Sequence, residues 1–460
     1  MMKNTWKRTL AGLAVLTMAL SAFTGCSDNS TSSTSKSIKS SSSVVTEENT
    51  EDTETTTASK KKSGSAVKAE NTSHITNNKG VIDTTDMFTE RDLAQTADIS
   101  DAKKLTVSDG KTIDITEAGV YVISGSAKNC TIRVEADSES KVQLVLDGVT
   151  VENEDFPAVY VVSADKVFVT STDSENSLSV TGQFTSDGDT NTDAVIFSKE
   201  DLVFNGTGAL TVYSAYGNGV SCKDDLKVTG GTYDVTTAKD AFEANDSIAI
   251  CGGDFTVNTQ KDGLHCENDE DNTLGSIYIS DGTFDITSNS DAIQGTTYVQ
   301  IDGGTFNIIS SEGIEATYVQ INGGNITISA SDDGINATNK STACDIAVEF
   351  NGGNTTITMG QGDTDAVDAN GSIYVNGGTI DITAQMSSFD YDGTAEFNGG
   401  TIIINGEEVS EIPQSMMGGP MGGFGGHGGF GGDMGTPPDG GMGTPPDGGF
   451  GGGRGRMEQF

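Results

Sequence analysis

The sequence predicts an all-β fold, a parallel β-helix, on three observations. A Gly pair or its equivalent recurs at Gly230-Gly231, Gly252-Gly253, Asp281-Gly282, Gly303-Gly304, Gly323-Gly324, Gly352-Gly353, Gly377-Gly378 and Gly399-Gly400. The spacing is 20 to 25 residues with two excursions to 29, and a near-fixed period in that range is the signature of a solenoid. The segments between the pairs alternate apolar and polar residues, the period of a half-buried strand. No helical period interrupts them from about Met87 to Glu411.

One unit shows the pattern. Val299 and Ile301 are assigned inward and Gln300 outward. After the Gly pair, Phe306 and Ile308 face in and Asn307 out; after a polar turn, Ile314 and Ala316 face in and Glu315 out. Three strands per coil are therefore predicted, each pairing only with its equivalents in neighbouring coils. Longer coils carry loops at Glu267 to Gly275 and Asn339 to Cys344. Residues from Met87 to about Glu154 are less regular and are expected to cap one end.

The flanks differ in composition. Lys3, Lys7 and Arg8 precede an apolar run from Leu10 to Phe23, too short to span a membrane and typical of an export signal over 1–25. Gly25-Cys26 resembles a bacterial lipobox, with Cys26 as the lipidation site, so a cell-membrane anchor facing outward is expected. Residues 26–85 are rich in Ser, Thr, Lys and Glu, too polar to offset ordering entropy, and read as a linker. The β-helix is assigned to 86–412. The tail, 413–460, repeats Met-Gly-Thr-Pro-Pro-Asp-Gly-Gly at 434–441 and 442–449 and reads as a disordered Gly-rich segment.

The chain has 67 acidic and 26 basic residues. That balance argues against a nucleic-acid partner, which needs clustered Lys and Arg. It suggests solubility or affinity for divalent cations. Aside from Cys26 there are five cysteines, an odd number with no zinc spacing; most are assigned to buried strand positions. A monomer is expected.

Aligning coils on the Gly pair exposes two outward columns. The first reads Asp193, Asn218, Asp240, Asp262, Asp291, Glu312, Asp333, Asp365. The second, three positions on, reads Ser221, Glu243, His265, Gln294, Glu315, Asn336, Asp368. Equivalent positions stack about 4.8 Å apart, where two carboxylates repel by about 0.9 kcal/mol in water and about 3.5 kcal/mol at an effective dielectric of 20. Hard oxygen ligands suit Ca2+. The candidate calcium ligands are Asp240, Glu243, Asp262, Glu267, Asp291, Glu312, Glu315, Asp333, Asp365 and Asp368. A plain alternative is that Asp and Asn recur here as turn residues.

Lys239 and Lys261 directly precede two of these acids. A neutral amine beside a calcium-bound uronate could abstract the C5 proton for β-elimination; otherwise these lysines only balance charge. Tyr278, Tyr298, Tyr318 and Tyr374, with Gln300 and Gln320, form an outward strip that could pack against sugar rings. They could equally just cover the sheet.

Several segments carry a family resemblance. Gly119-Val120-Tyr121-Val122-Ile123-Ser124-Gly125, Val142-Gln143-Leu144-Val145-Leu146-Asp147-Gly148-Val149, the run from Ile196 to Gly206, and Ser290-Asp291-Ala292-Ile293-Gln294 resemble a family of clostridial extracellular carbohydrate-binding β-helix proteins. The similarity covers about 86 to 404. It implies a right-handed, pectate-lyase-like helix that binds acidic plant polysaccharide of the polygalacturonate type with calcium and has no established lyase activity. Asn191-Thr192-Asp193 imitates a polygalacturonase motif, but Gly426-His427-Gly428 lies in the tail and no Arg-Ile-Lys occurs. No arginine occurs between Arg133 and Arg454, which removes the usual lyase base. The readings that remain are a non-catalytic carbohydrate-binding lipoprotein, a lysine-based pectate lyase, and a surface adhesin without a sugar ligand.

Overall fold

The computed structural model describes residues 80–362 and 364–413. The signal segment with Cys26, most of the linker and the Gly-rich tail lie outside the described residues. Among the described residues there are strands and turns and no helix.

Strands stack in three parallel ladders. The first includes Ser276–Ile279, Tyr298–Ile301 and Tyr318–Ile321, in register through Ile279, Ile301 and Ile321. The second includes Thr283–Ser288, Thr305–Ser310 and Asn325–Ala330, in register through Phe284, Phe306 and Ile326. The third includes Asp291–Gly295, Glu312–Ala316 and Asp333–Ala337, in register through Ile293, Ile314 and Ile335. These parallel ladders are the arrangement of a β-helix. The stack starts with Lys103–Thr106 and Thr112–Ile115, the first paired in parallel with the long strand Gly119–Lys128, and the next long strand, Lys141–Asn153, pairs with both Lys166–Ser171 and Glu175–Val180. At the other end Glu407–Val409 pairs antiparallel with Thr401–Ile404, which closes an edge that would otherwise template further pairing.

Alternation fills the interior. Second-ladder strands such as Thr283–Ser288 alternate exposed and buried along their length. Their inward rings stack: Phe255 on Phe284 at 4.7 Å and 5°, and Phe284 on Phe306 at 4.5 Å and 2°. The second glycine of each pair turns the chain between ladders. Gly304 has φ +102 and would place a Cβ 3.1 Å from the carbonyl oxygen of Gly282 in the preceding coil, so a side chain would be strained in both respects. Cys130, Cys222 and Cys266 are buried as expected, whereas Cys251 and Cys344 are partly exposed.

The packed region begins before the expected boundary at 86. Val81 and Ile82 are buried, and the segment from Gly80 to Gln95 runs as a strap along the outer face of the first ladder. The Val81 amide donates to Gln320 Oε1 at 3.0 Å and the Ile82 amide to Gln300 Oε1 at 2.8 Å. Further on, Lys227 Nζ donates to the Met87 carbonyl at 2.6 Å, and the Thr229 hydroxyl to the Asp92 carbonyl at 2.6 Å. Two isolated apolar residues in a polar stretch gave no periodic signal, yet they supply the contact that docks the strap.

Candidate functional site

The first acidic column is built by side chains that reach along the stack. The Asp240 amide donates to Asn218 Oδ1 at 3.0 Å, the Asp262 amide to Asp240 Oδ1 at 3.1 Å, and the Asp291 amide to Asp262 Oδ1 at 3.0 Å. The Asp365 amide donates to Asp333 Oδ1 at 3.2 Å. One carboxylate oxygen thus satisfies a backbone donor of the next coil, a bond to a charged acceptor worth about 1.5–3 kcal/mol. The turn role and the cation role therefore use different oxygens of the same residue.

The protein's own cations divide the column. Toward the N-terminal side, Lys239 Nζ lies 2.8 Å from Asp193 Oδ2, and Lys261 Nζ lies 2.9 Å from Asp240 and 3.5 Å from Asp262. His265 Nδ1 sits 3.2 Å from Asp240 Oδ2. Glu243 is held by Asn218 at 2.6 Å and by Lys223 at 3.1 Å, and Glu267 is exposed, 3.3 Å from His265 Nε2. Burial alone would raise the Asp240 pKa; the hydrogen bond and charge of His265, joined by Lys261, outweigh it and lower it to about 2.

Toward the C-terminal side the acids face one another. Single oxygens of Asp291, Glu312 and Glu315 lie within 4.8 Å of each other. Glu315 is paired with Lys340 at 2.7 Å. Burial, then the charges of Asp262, Glu312 and Glu315, push Asp291 up to about 9. Burial likewise raises Asp333 to about 7, and burial with the charges of Asp365 and Asp390 raises Asp368 to about 6. Glu312 is raised by burial, against a hydrogen bond from Asn336. The Asn336 side-chain oxygen is buried without a hydrogen-bond donor, between these acids' coils. An oxygen-rich donor set with an orphaned amide oxygen fits a hard cation such as calcium. Glu243 and Glu267 stand apart from this grouping.

One alternative is weakened and one expectation needs correction. Lys261 enters only the lyase alternative as a neutral base, beside the plain reading that it balances charge. Burial disfavours its charge, but the charges and hydrogen bonds of Asp240 and then Asp262 prevail and raise its pKa, so it stays an ammonium. The tyrosine strip does face outward, but it is not exposed. Tyr278, Tyr298 and Tyr318 form an apolar cluster with Val81 and Ile82 of the strap, and Tyr374 packs at its margin. Gln300 and Gln320 are buried beneath the strap as its hydrogen-bond acceptors. Tyr318 donates to Glu349 Oε2 at 2.9 Å and Tyr278 to Asp302 Oδ2 at 2.9 Å.

The strap can be tested. Replacing Ile82 with Asn is expected to lower stability by about 1–3 kcal/mol, the cost of an unpaired polar group in an apolar contact. Nitration of Tyr278, Tyr298 and Tyr318 should rise in parallel. Unchanged nitration would mean the strap does not shield them in solution. The cation partners, Lys223 and Lys340, were not singled out from sequence; Lys340 comes from the inserted loop, whose Ser341 hydroxyl reaches the Asn272 carbonyl of the other long loop at 2.5 Å.

A family profile described as carbohydrate-binding domain-containing protein matches residues 109–366. A relative of that description from Acetivibrio thermocellus is 37% identical over 207 residues, 44% of this chain and 72% of the relative. A solved polysaccharide lyase-like protein from C. thermocellum, a gadolinium derivative, aligns at 21% identity with a TM-score of 0.30, over 67% of this chain and 96% of that one. The chain belongs to the family of carbohydrate-binding domain-containing proteins.

Proposed function

We propose that the protein is a non-catalytic, cell-surface lipoprotein that holds acidic plant polysaccharide of the polygalacturonate type through calcium. In this reading the helix is right-handed with three strands per turn, acts as a monomer, and is anchored outside the cell through Cys26. The observation that carries the reading is the Asp291, Glu312 and Glu315 group, whose oxygens converge within 4.8 Å with Lys340 as the paired cation. Asp333, Asp365 and Asp368 continue it along the axis. Calcium bound there would leave coordination positions open to uronate carboxylates, and one polymer could bridge several coils.

A charged Lys261, tied to Asp240 and Asp262, weighs against the lyase alternative. The test is incubation of the protein with polygalacturonate, with calcium or with chelator, reading retention and ultraviolet absorbance together. Retention that needs calcium, with flat absorbance, is the expected result. Rising absorbance would mean β-elimination and return Lys239 and Lys261 to the centre. No retention in either condition would remove pectate as the ligand and favour the adhesin reading.

A further inference from the structure

The strap crosses the first ladder at a largely covered amine flanked by two carboxyl groups. Lys166 Nζ lies 3.6 Å from Asp92 Oδ1 and 3.6 Å from Asp201 Oδ2. Lys166 and Asp201 are direct cross-strand neighbours in the first ladder, while Asp92 belongs to the strap. The Asp92 side chain is fully buried. Its Oδ2 accepts the Thr89 amide at 2.9 Å, but its Oδ1 is buried with no hydrogen bond. An ion pair with hydrogen bonding would close to about 2.7–2.9 Å, and an orphaned buried carboxylate oxygen is costly. Phe168, two residues along the strand from Lys166, carries the Arg91 guanidinium 4.4 Å over its ring, and Arg91 also interacts with Asp92 by charge.

We infer that Lys166 and Asp92 join in an intramolecular amide bond, with Asp201 as the proton carrier. The Lys166 ammonium gives a proton to the Asp201 carboxylate, and the freed lone pair attacks Cγ of Asp92. Asp201 returns that proton to one Asp92 oxygen. A second proton from nitrogen follows the same route to the same oxygen as the Cγ–O bond breaks. The products are one amide and one water, Asp201 ends as it began, and no oxidant or cofactor is needed. The arrangement suits each part. Burial removes the water that would solvate both ions, proximity replaces a bimolecular encounter, and a shuttle must exchange protons readily. Burial and the neighbouring charge of Asp225 raise the Asp201 pKa, which favours that role.

The bond would fasten the strap to the coil at the end farther from the linker. Force on the linker would then stop at Asp92 and leave the coils beyond it unloaded, while Val81 and Ile82, on the linker side of the bond, would still be able to peel from the tyrosine strip. The inference is independent of the carbohydrate reading, because it concerns neither the acidic columns nor calcium.

Tryptic mapping of the full chain decides it. Trypsin cuts after Arg91, Lys103, Lys141 and Lys199, and an amide at Lys166 blocks cleavage there. The expected species is Asp92–Lys103 joined to Val142–Lys199, lighter than their sum by one water. Lys166→Arg keeps the charge and should abolish it, as should Asp92→Ala. Asp201→Asn should reduce the linked fraction at least tenfold in freshly made protein while leaving the fold intact by circular dichroism. A wild-type digest containing only Val142–Lys166 and Val167–Lys199 would overturn the inference. A link from Lys166 to Asp201 would overturn the assigned roles, and full linkage in Asp201→Asn would remove Asp201 as the carrier.

Discussion

With calcium chelated, the protein is expected to lose stability as the pH rises from about 5 to about 8, by on the order of a few kcal/mol. The groups responsible are Asp291, pushed up to about 9, Asp333 to about 7 and Asp368 to about 6. Each keeps its proton in the folded state at a pH where the unfolded chain has released it. The folded state then binds more protons than the unfolded one, so stability falls with rising pH between the two pKa values. The contribution is complete below the ordinary carboxylate range and is lost as pH climbs through the folded values. In the proposed reading, calcium replaces those protons. It should therefore raise the melting temperature most near the upper end of the range and least near the lower end, since a ligand specific to the folded state stabilises by mass action. The measurement is a set of thermal melts across pH, with calcium or with chelator. Parallel pH curves in the two conditions would mean that the acids do not hold the ion.

This split along the column was only half legible in the sequence. The coil register could be read because the Gly pair and the inward Phe284, Phe306 and Ile308 mark each turn on a fixed period, and the parallel pairing follows them. The acidic column was legible for the same reason. Its internal neutralisation was not. Lys261 pairs with Asp240 one coil back as well as with adjacent Asp262, and which way a lysine leans is not a property of spacing. Lys340 reaches Glu315 from an inserted loop, where periodicity says nothing. The strap was hidden by distance: Val81 meets Gln320 across 239 residues, and one short apolar pair in a polar segment carries no pattern. The tyrosine strip was correctly placed on the outward side of its strand, but outward from the coil is not the same as exposed when another segment lies on top.

Matched single substitutions in the two halves of the column should move stability in opposite directions. Asp240→Asn is expected to destabilise by about 2–3 kcal/mol near neutral pH. Asp240 is buried, but His265 and then Lys261 over-compensate that burial and hold its pKa near about 2; a depressed acid contributes stability above its ordinary range and loses it only as the pH falls toward the folded value. The amide removes the charge that His265 and Lys261 face, while keeping the Oδ1 that accepts the Asp262 amide. Asp291→Asn does the reverse in chelator. Burial and the crowding by Asp262, Glu312 and Glu315 make Asp291 take up a proton to fold near neutral pH; the amide is neutral without that uptake, so the protein should become more stable there by about 1–3 kcal/mol. With calcium present the same substitution removes a proposed ligand, so any calcium-induced rise in melting temperature should shrink and the retention proposed on polygalacturonate should fall at least tenfold. Thermal melts of both variants, each with and without calcium, give all the signs at once. If Asp291→Asn destabilises in chelator as Asp240→Asn does, both residues act as turn-forming side chains, and the C-terminal half of the column has no excess charge for a cation to relieve.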